Sequence, residues 1–141
     1  MKRKKKKTLL KRQEALQATM DKFRGRPFDW ETGATCIHML RFHAKRLGHK
    51  LPAIPKLTGP LVAARELKKH GWNNVTEMLD ELFEPIPVAA MLPGDISILP
   101  GDSGLEGVVL SLGEKVIGWH EESEGMVIMQ PIGLLEKAWR V

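Results

Sequence analysis

The sequence predicts an α+β fold, with helices first and a small antiparallel sheet second. Apolar residues recur at helical spacing from Leu9 to Leu82, whereas from Met91 onward they fall in short β-prone runs separated by Gly-containing turns. The two halves do not alternate helix with strand, so a parallel βαβ arrangement is excluded. With 141 residues and 43% apolar content, the chain is long enough for one domain to bury a core.

The first helix is expected after the basic run, where Leu9, Leu16 and Phe23 fall seven apart with Met20 between the last two, and it ends near Gly25. So thin an apolar stripe needs something to pack on, its own domain or a neighbouring subunit. It reads as a docking element, without which the body should still fold. RPFDWETGATC is turn-rich, and a second helix begins near Thr35, with Ile37, Leu40, Ala44 and Leu47 on one face and Gly48 ending it. LPAIPKLTGP is too proline-rich for regular structure and leads into a third helix, Leu61 to His70, stopped by Gly71. Asn73 or Asn74 caps a fourth, carrying Val75, Met78, Leu79 and Leu82, which EPIPV breaks. Ile96 with Ile98, Val108 to Leu112, Val116 to Trp119 and Met126 to Met129 then form an antiparallel meander of three or four strands joined by tight turns.

Charge is divided along the chain. Residues 1–26 hold 11 Lys/Arg against two acids, and residues 27–141 hold 11 against 15, so a basic helical arm (1–26) precedes a mildly acidic body (27–141). Such an arm suits an anionic surface, namely nucleic acid, lipid headgroups or the acidic face of a protein, or else serves solubility. No apolar stretch reaches the about 18 residues of a membrane span, and the N-terminus meets Gln and Glu too early for an export signal.

The single cysteine, Cys36, excludes an intramolecular disulfide and a cysteine-rich zinc site. In the first turn of a helix, unpaired N–H groups and the positive end of the dipole favour its thiolate, which makes it the candidate nucleophile. The alternative is a small buried apolar residue. A thiol nucleophile needs a base from elsewhere in the fold. His38 diverges from Cys36 on the same helix; His43, His49 and His70 sit among Lys and Arg and read as surface residues. His120, after the strand VIGW, is the histidine a helix-borne thiol could meet. No histidine pair has metal-ligand spacing supported by a third ligand, and no Walker-type glycine loop is present, so neither metal nor cofactor is expected. Trp30, Trp72, Trp119 and Trp139 read as core or subunit-contact anchors, because they do not alternate with basic residues as a stacking surface would.

PFDWETGATCIHML resembles the opening of NlpC-type, papain-like cell-wall cysteine peptidases, in which an aromatic residue, Trp-Gly and a Gly-containing loop precede Asp-Cys and a helix. PGDISIL resembles their Gly-Asp-hydrophobic strand. The chain looks closer still to a family of small phage and prophage proteins encoded among tail genes, with a middle helix like GPLVAARELKKHGW and an end like KAWRV. The resemblance spans roughly residues 27–141 at modest specificity.

Departures from the peptidase pattern bear on activity. Thr35 replaces the Asp before the nucleophile, and Glu31 replaces the Gly after Trp. The general-base His of a string like His-Val-Gly-Ile-x-x-Gly is replaced by Glu106 or Gly107 in EGVVLSLG. Gly118 stands where the third polar residue of the catalytic set would be, with His120 two positions along. The resemblance therefore implies a degenerate peptidase fold reused as a phage tail component or tail assembly factor near the tail tip. Its partners would be other tail proteins, and its location the virion or the host cytoplasm during assembly. Two rivals stay open. One is an active peptidase or amidase acting on peptidoglycan, with Cys36 as nucleophile and His120 as base. The other is a nucleic-acid-binding protein acting through the arm.

Overall fold

The computed structural model describes residues 8–101, 105–119, 124–130 and 133–141. Four helices, α1 (Leu9–Phe23), α2 (Cys36–Arg46), α3 (Pro60–Lys69) and α4 (Val75–Leu82), pack on a sheet of six strands. The strands are β1 (Glu84–Ile86), β2 (Ile96–Leu99), β3 (Gly107–Ser111), β4 (Val116–Trp119), β5 (Met126–Met129) and β6 (Ala138–Arg140). Their order is β1-β6-β2-β3-β4-β5, and every pair is antiparallel. The α+β architecture expected from the sequence is the one observed, with two strands more than the sequence suggested.

Both additional strands lie on one side of the sheet. β1 is the segment EPI, whose Pro85 cannot donate a ladder hydrogen bond, and the sheet places it at an edge, where that loss is tolerated. β6 inserts between β1 and β2, pairing Trp139 with both Pro85 and Ile96. The KAWRV ending thus becomes an interior strand, with Trp139 fully buried and its indole N–H donating to Asp80 Oδ1 at 2.9 Å.

Local chemistry sets the helix starts. Thr8, Thr35 and Asn74 each accept a backbone N–H from the first turn of α1, α2 and α4. Pro60 opens α3, where its missing N–H costs nothing. Gly48 and Gly71, just past α2 and α3, take positive φ of 91° and 87°.

Helix α1 carries a correction. Leu9, counted into its apolar stripe, is 70% exposed, whereas Arg12, Ala15, Leu16, Thr19 and Phe23 form the buried face. Those five positions have helical spacing, but two are polar, so hydrophobicity alone shows only part of the stripe. Ala15, Leu16 and Phe23 share one core with Met39, Leu40, Ile96, Val108, Leu110 and Ile117. The docking expected of this helix is met within the chain itself, and the body cannot be expected to keep its core without it. The basic run 2–7 lies outside the described residues.

His43 carries another correction, since the expected surface histidine is fully buried on α2. Its Nε2–H donates to the Gly94 carbonyl at 2.7 Å, which fixes the tautomer, and Nδ1 lies 3.1 Å from the Thr19 hydroxyl. His43 therefore ties α1, α2 and the turn before β2 together. His49, also read as a surface residue, is half-buried and meets the Phe83 ring edge-on at 4.9 Å.

Candidate functional site

The loop before α2 is closed by a two-residue bridge. Asp29 and Ala34 exchange both backbone hydrogen bonds at 2.9 Å, and Gly33 turns the chain with φ of 74°. This hairpin-like loop delivers Thr35, fully buried, as the N-cap and Cys36 as the first helical residue. Thr35 Oγ1 accepts the His38 N–H at 3.2 Å and lies 2.7 Å from His38 Nδ1. The hydroxyl that replaces the peptidases' aspartate thus caps the helix and engages His38, which holds that ring away from Cys36.

Cys36 is half-buried and packs where α2 meets β3. Desolvation raises its pKa above the ordinary value near 9.0, outweighing the backbone N–H groups of Val108, Cys36 and Ile37, which favour the thiolate. At neutral pH the group is a thiol, a weak nucleophile.

The contact with Val108 lies in the string compared above with the base-bearing strand of NlpC-type peptidases. Gly113, at φ of 108°, closes GVVLSLG as the last Gly closes His-Val-Gly-Ile-x-x-Gly, which puts Gly107 in the place of the histidine. Gly107 directly precedes Val108, whose N–H faces Cys36. A Cβ added at Gly107 would meet nothing within 4 Å.

Glu106 is engaged elsewhere. Its carboxylate accepts the Thr76 N–H at 3.0 Å, the Val75 N–H at 3.4 Å and the Thr76 hydroxyl. It thereby anchors the N-terminus of α4, where a negative charge also meets the positive end of the dipole. As a base for Cys36 it is committed to another task.

In the same register the family's glycine falls at Val109 and its third polar residue at Gly118. A Cβ at Gly118 would approach Val109 Cγ1 to 2.7 Å, so the side chain gained on β3 occupies the space lost on β4. His120 lies outside the described residues.

The motif residue Asp95 has a role the sequence did not disclose. It is fully buried between two arginines: Arg12 Nη2 donates to Oδ1, and Arg140 Nε donates to Oδ2 at 3.0 Å. The Leu92 N–H also reaches Oδ2, at 2.8 Å, and Arg12 Nη1 donates to the Val141 carbonyl at 2.9 Å. Arg12 Nε is the buried side-chain atom left without a partner among the described residues. The cluster fastens α1 and β6 to the start of β2. Nothing in the sequence sets Arg12 apart from the other basic residues of α1, because its partner lies 83 residues away.

Three of the four tryptophans are anchored by their indole N–H groups: Trp72 to Glu81, Trp119 to the Arg26 carbonyl and Trp139 to Asp80. Trp30 is half-buried, edge-on to Phe28. Two clefts flank α2. One is an apolar slot that includes Ile37, Leu40, Leu67 and Met78, and the other is lined by basic residues. Cys36 lines neither of them. Among the described residues no group of three His, Cys, Asp or Glu side chains could hold a metal ion, and no helix is long and apolar enough to cross a membrane.

The family described as a domain of unknown function (DUF6950) matches residues 8–141. The chain belongs to the DUF6950 family. The match begins at Thr8, the N-cap of α1, so the family includes the helix that carries Arg12. Among solved structures, the chain is similar to the NlpC/p60 domain of the peptidoglycan hydrolase SagA, at a TM-score of 0.57 and 18% identity over 91% of this chain and 97% of that one. At that identity the likeness shows the fold alone, and it is the papain-like fold that the Cys36 and Gly94-Asp95 strings implied. No curated protein matches the chain.

Proposed function

We propose that this DUF6950 domain is a catalytically silent NlpC/p60-type fold that works as a structural component. The carrying observation is the surroundings of Cys36: a thiol whose burial disfavours ionisation, beside a glycine where the family's base would stand. Glu106, the neighbouring carboxylate, is bonded to α4. A helix dipole is worth about 0.3–1 kcal/mol, too little to ionise such a thiol at neutral pH without an imidazolium partner. The setting proposed is a bacteriophage tail or its assembly, which rests on the sequence resemblance of GPLVAARELKKHGW and KAWRV to tail-gene proteins. In this reading the partners are other tail proteins.

Iodoacetamide labelling of the native protein at pH 7 tests the silent site. Slow alkylation is expected, rising as the pH is taken above 9, with no release of muropeptides from peptidoglycan. Particles assembled with Cys36→Ala should keep their infectivity, whereas omission of the whole protein should stop tail assembly.

The second reading is a peptidoglycan peptidase or amidase with Cys36 as nucleophile and His120 as base. The backbone N–H groups of Val108 and Ile37 around the sulfur favour it. Muropeptide cleavage by the wild type that both Cys36→Ala and His120→Ala eliminate would establish this reading in place of the first.

A further inference from the structure

The second cleft beside α2 is a concentration of positive charge that Cys36 does not line, built from residues later in the chain than the basic run 2–7. It has a volume of about 710 Å³ and lies between the end of α1, the outer face of α2 and the segments around Thr32 and Ile54. Lys22, Arg26, Arg41, Lys45 and Arg46 line it, and among the described residues no carboxylate does. None of these five is in an ion pair among the described residues.

Two of the guanidinium groups are already held in place. Arg26 Nη2 donates to the Thr32 carbonyl at 2.8 Å, and Arg41 Nε donates to the Pro52 carbonyl at 3.0 Å. Each keeps further N–H groups for a ligand, and fixing the side chain in advance reduces the entropy lost on binding. Lys22 and Arg46 lie over the Phe42 ring, 4.4 and 5.5 Å from its centroid, which gathers their charges at the same wall.

The construction discriminates among anions. A peptide recognised as an added strand needs a free sheet edge, and one recognised as a helix needs an apolar groove. Helices and loops line this cleft, and its principal aromatic ring, Phe42, is covered by cations. Phe23 is buried and the His38 ring is held by the Thr35 hydroxyl, so the wall offers no uncovered Phe or Trp ring for nucleobases to stack on. Recognition of phosphate groups needs only an array of cations, with forked guanidinium donors.

We propose that this cleft binds a phosphate-bearing polyanion through its phosphates alone, without regard to base sequence. The intact protein is titrated by fluorescence anisotropy against a labelled 20-nucleotide single-stranded DNA over a range of salt concentrations. Inorganic polyphosphate and poly-glutamate of equal charge serve as competitors. The Arg41→Gln/Lys45→Gln variant should bind at least about tenfold more weakly, and its log–log salt dependence should be shallower by about 1.4, at about 0.7 per phosphate contact on a single strand. Lys45→Gln/Arg46→Gln, which alters two exposed side chains, should behave alike and guards against a folding defect at Arg41. Changing residues 2–7 to Gln should leave the difference between wild-type and variant clefts in place. Polyphosphate should displace the DNA, and DNAs of different base sequence should bind equally. Unchanged binding by both cleft variants, absence of binding by the wild type, or loss of all binding on changing residues 2–7 would overturn the proposal. Displacement by poly-glutamate as effective as that by polyphosphate would overturn it in favour of an acidic protein partner.

Discussion

Two places where a helix meets the sheet are built in opposite ways. Around Asp95, two arginines and a backbone N–H converge on one buried carboxylate, and the result joins α1, β2 and β6. Around Cys36, the Val108 N–H faces the sulfur, Gly107 before it carries no side chain, and the carboxylate of Glu106 is bonded to α4. Around Asp95 the buried polar chemistry holds elements together, whereas the polar groups that act on the thiol among the described residues are backbone N–H groups. A papain-like framework can thus keep its nucleophile position as packing while its fixed charges support the architecture.

The largest effect that would sharpen this comparison is removal of residues 1–22. It strips Arg12, Ala15, Leu16 and Thr19 from the interior and leaves Asp95 with one arginine. The truncated chain should show no cooperative urea transition, and a normal transition would mean that the Asp95 cluster is dispensable. Asp95→Ala comes next. Leaving Arg12 buried and unpaired should cost about 3–5 kcal/mol, read as a fall in the urea midpoint at unchanged slope. Glu106→Ala should cost about 1–2 kcal/mol through loss of the α4 anchor, while alkylation of Cys36 at pH 7 stays as slow as in the wild type. Faster or slower alkylation in that variant would show that the carboxylate acts on the thiol after all.

Acid should weaken the same side of the molecule. Burial, the dominant cause, lowers the His43 pKa below the ordinary 6.5, and Arg12 adds to the effect. The unfolded chain therefore takes up a proton at a higher pH than the folded one does, so stability is fully present above pH 6.5 and declines as the pH falls below it. His43→Gln should flatten that decline, as measured by urea denaturation between pH 7 and 5. The smallest expected change in stability, and the sharpest test of the Cys36 side, is Gly107→His. The position has open space, so the variant should fold, and an imidazole beside the thiol should speed alkylation at pH 7. An unaltered rate would show that the base position does not face the sulfur.

Much of this was legible in the sequence for simple physical reasons. Periodicity and capping residues marked α2, α3 and α4, and Gly turns marked β2 to β5, because those signals are local. The missed features are those in which distant residues complete one another. Arg12 and Thr19 look like solvent-facing positions until Asp95 and His43 arrive to bond them. β1 contains a proline, and β6 is three residues long, so neither had a pattern of its own before pairing with the other. That EGVVLSLG has no histidine could be read from the sequence, but the engagement of Glu106 could not, since its partners lie at Val75 and Thr76.

The close fit of β3 against β4 locks two positions to each other. Leu110 faces Ile117, so Val109 falls opposite Gly118, and its methyl group fills the space that any side chain at 118 would need. Placing a polar residue at 118 alone would drive it into Val109. Trimming Val109 alone would open a void in a buried part of the sheet, at a cost of about 2 kcal/mol or more. A change at either of these two positions alone is uphill, and only the paired change is level. Packing at this pair thus guards the identity of both residues at once.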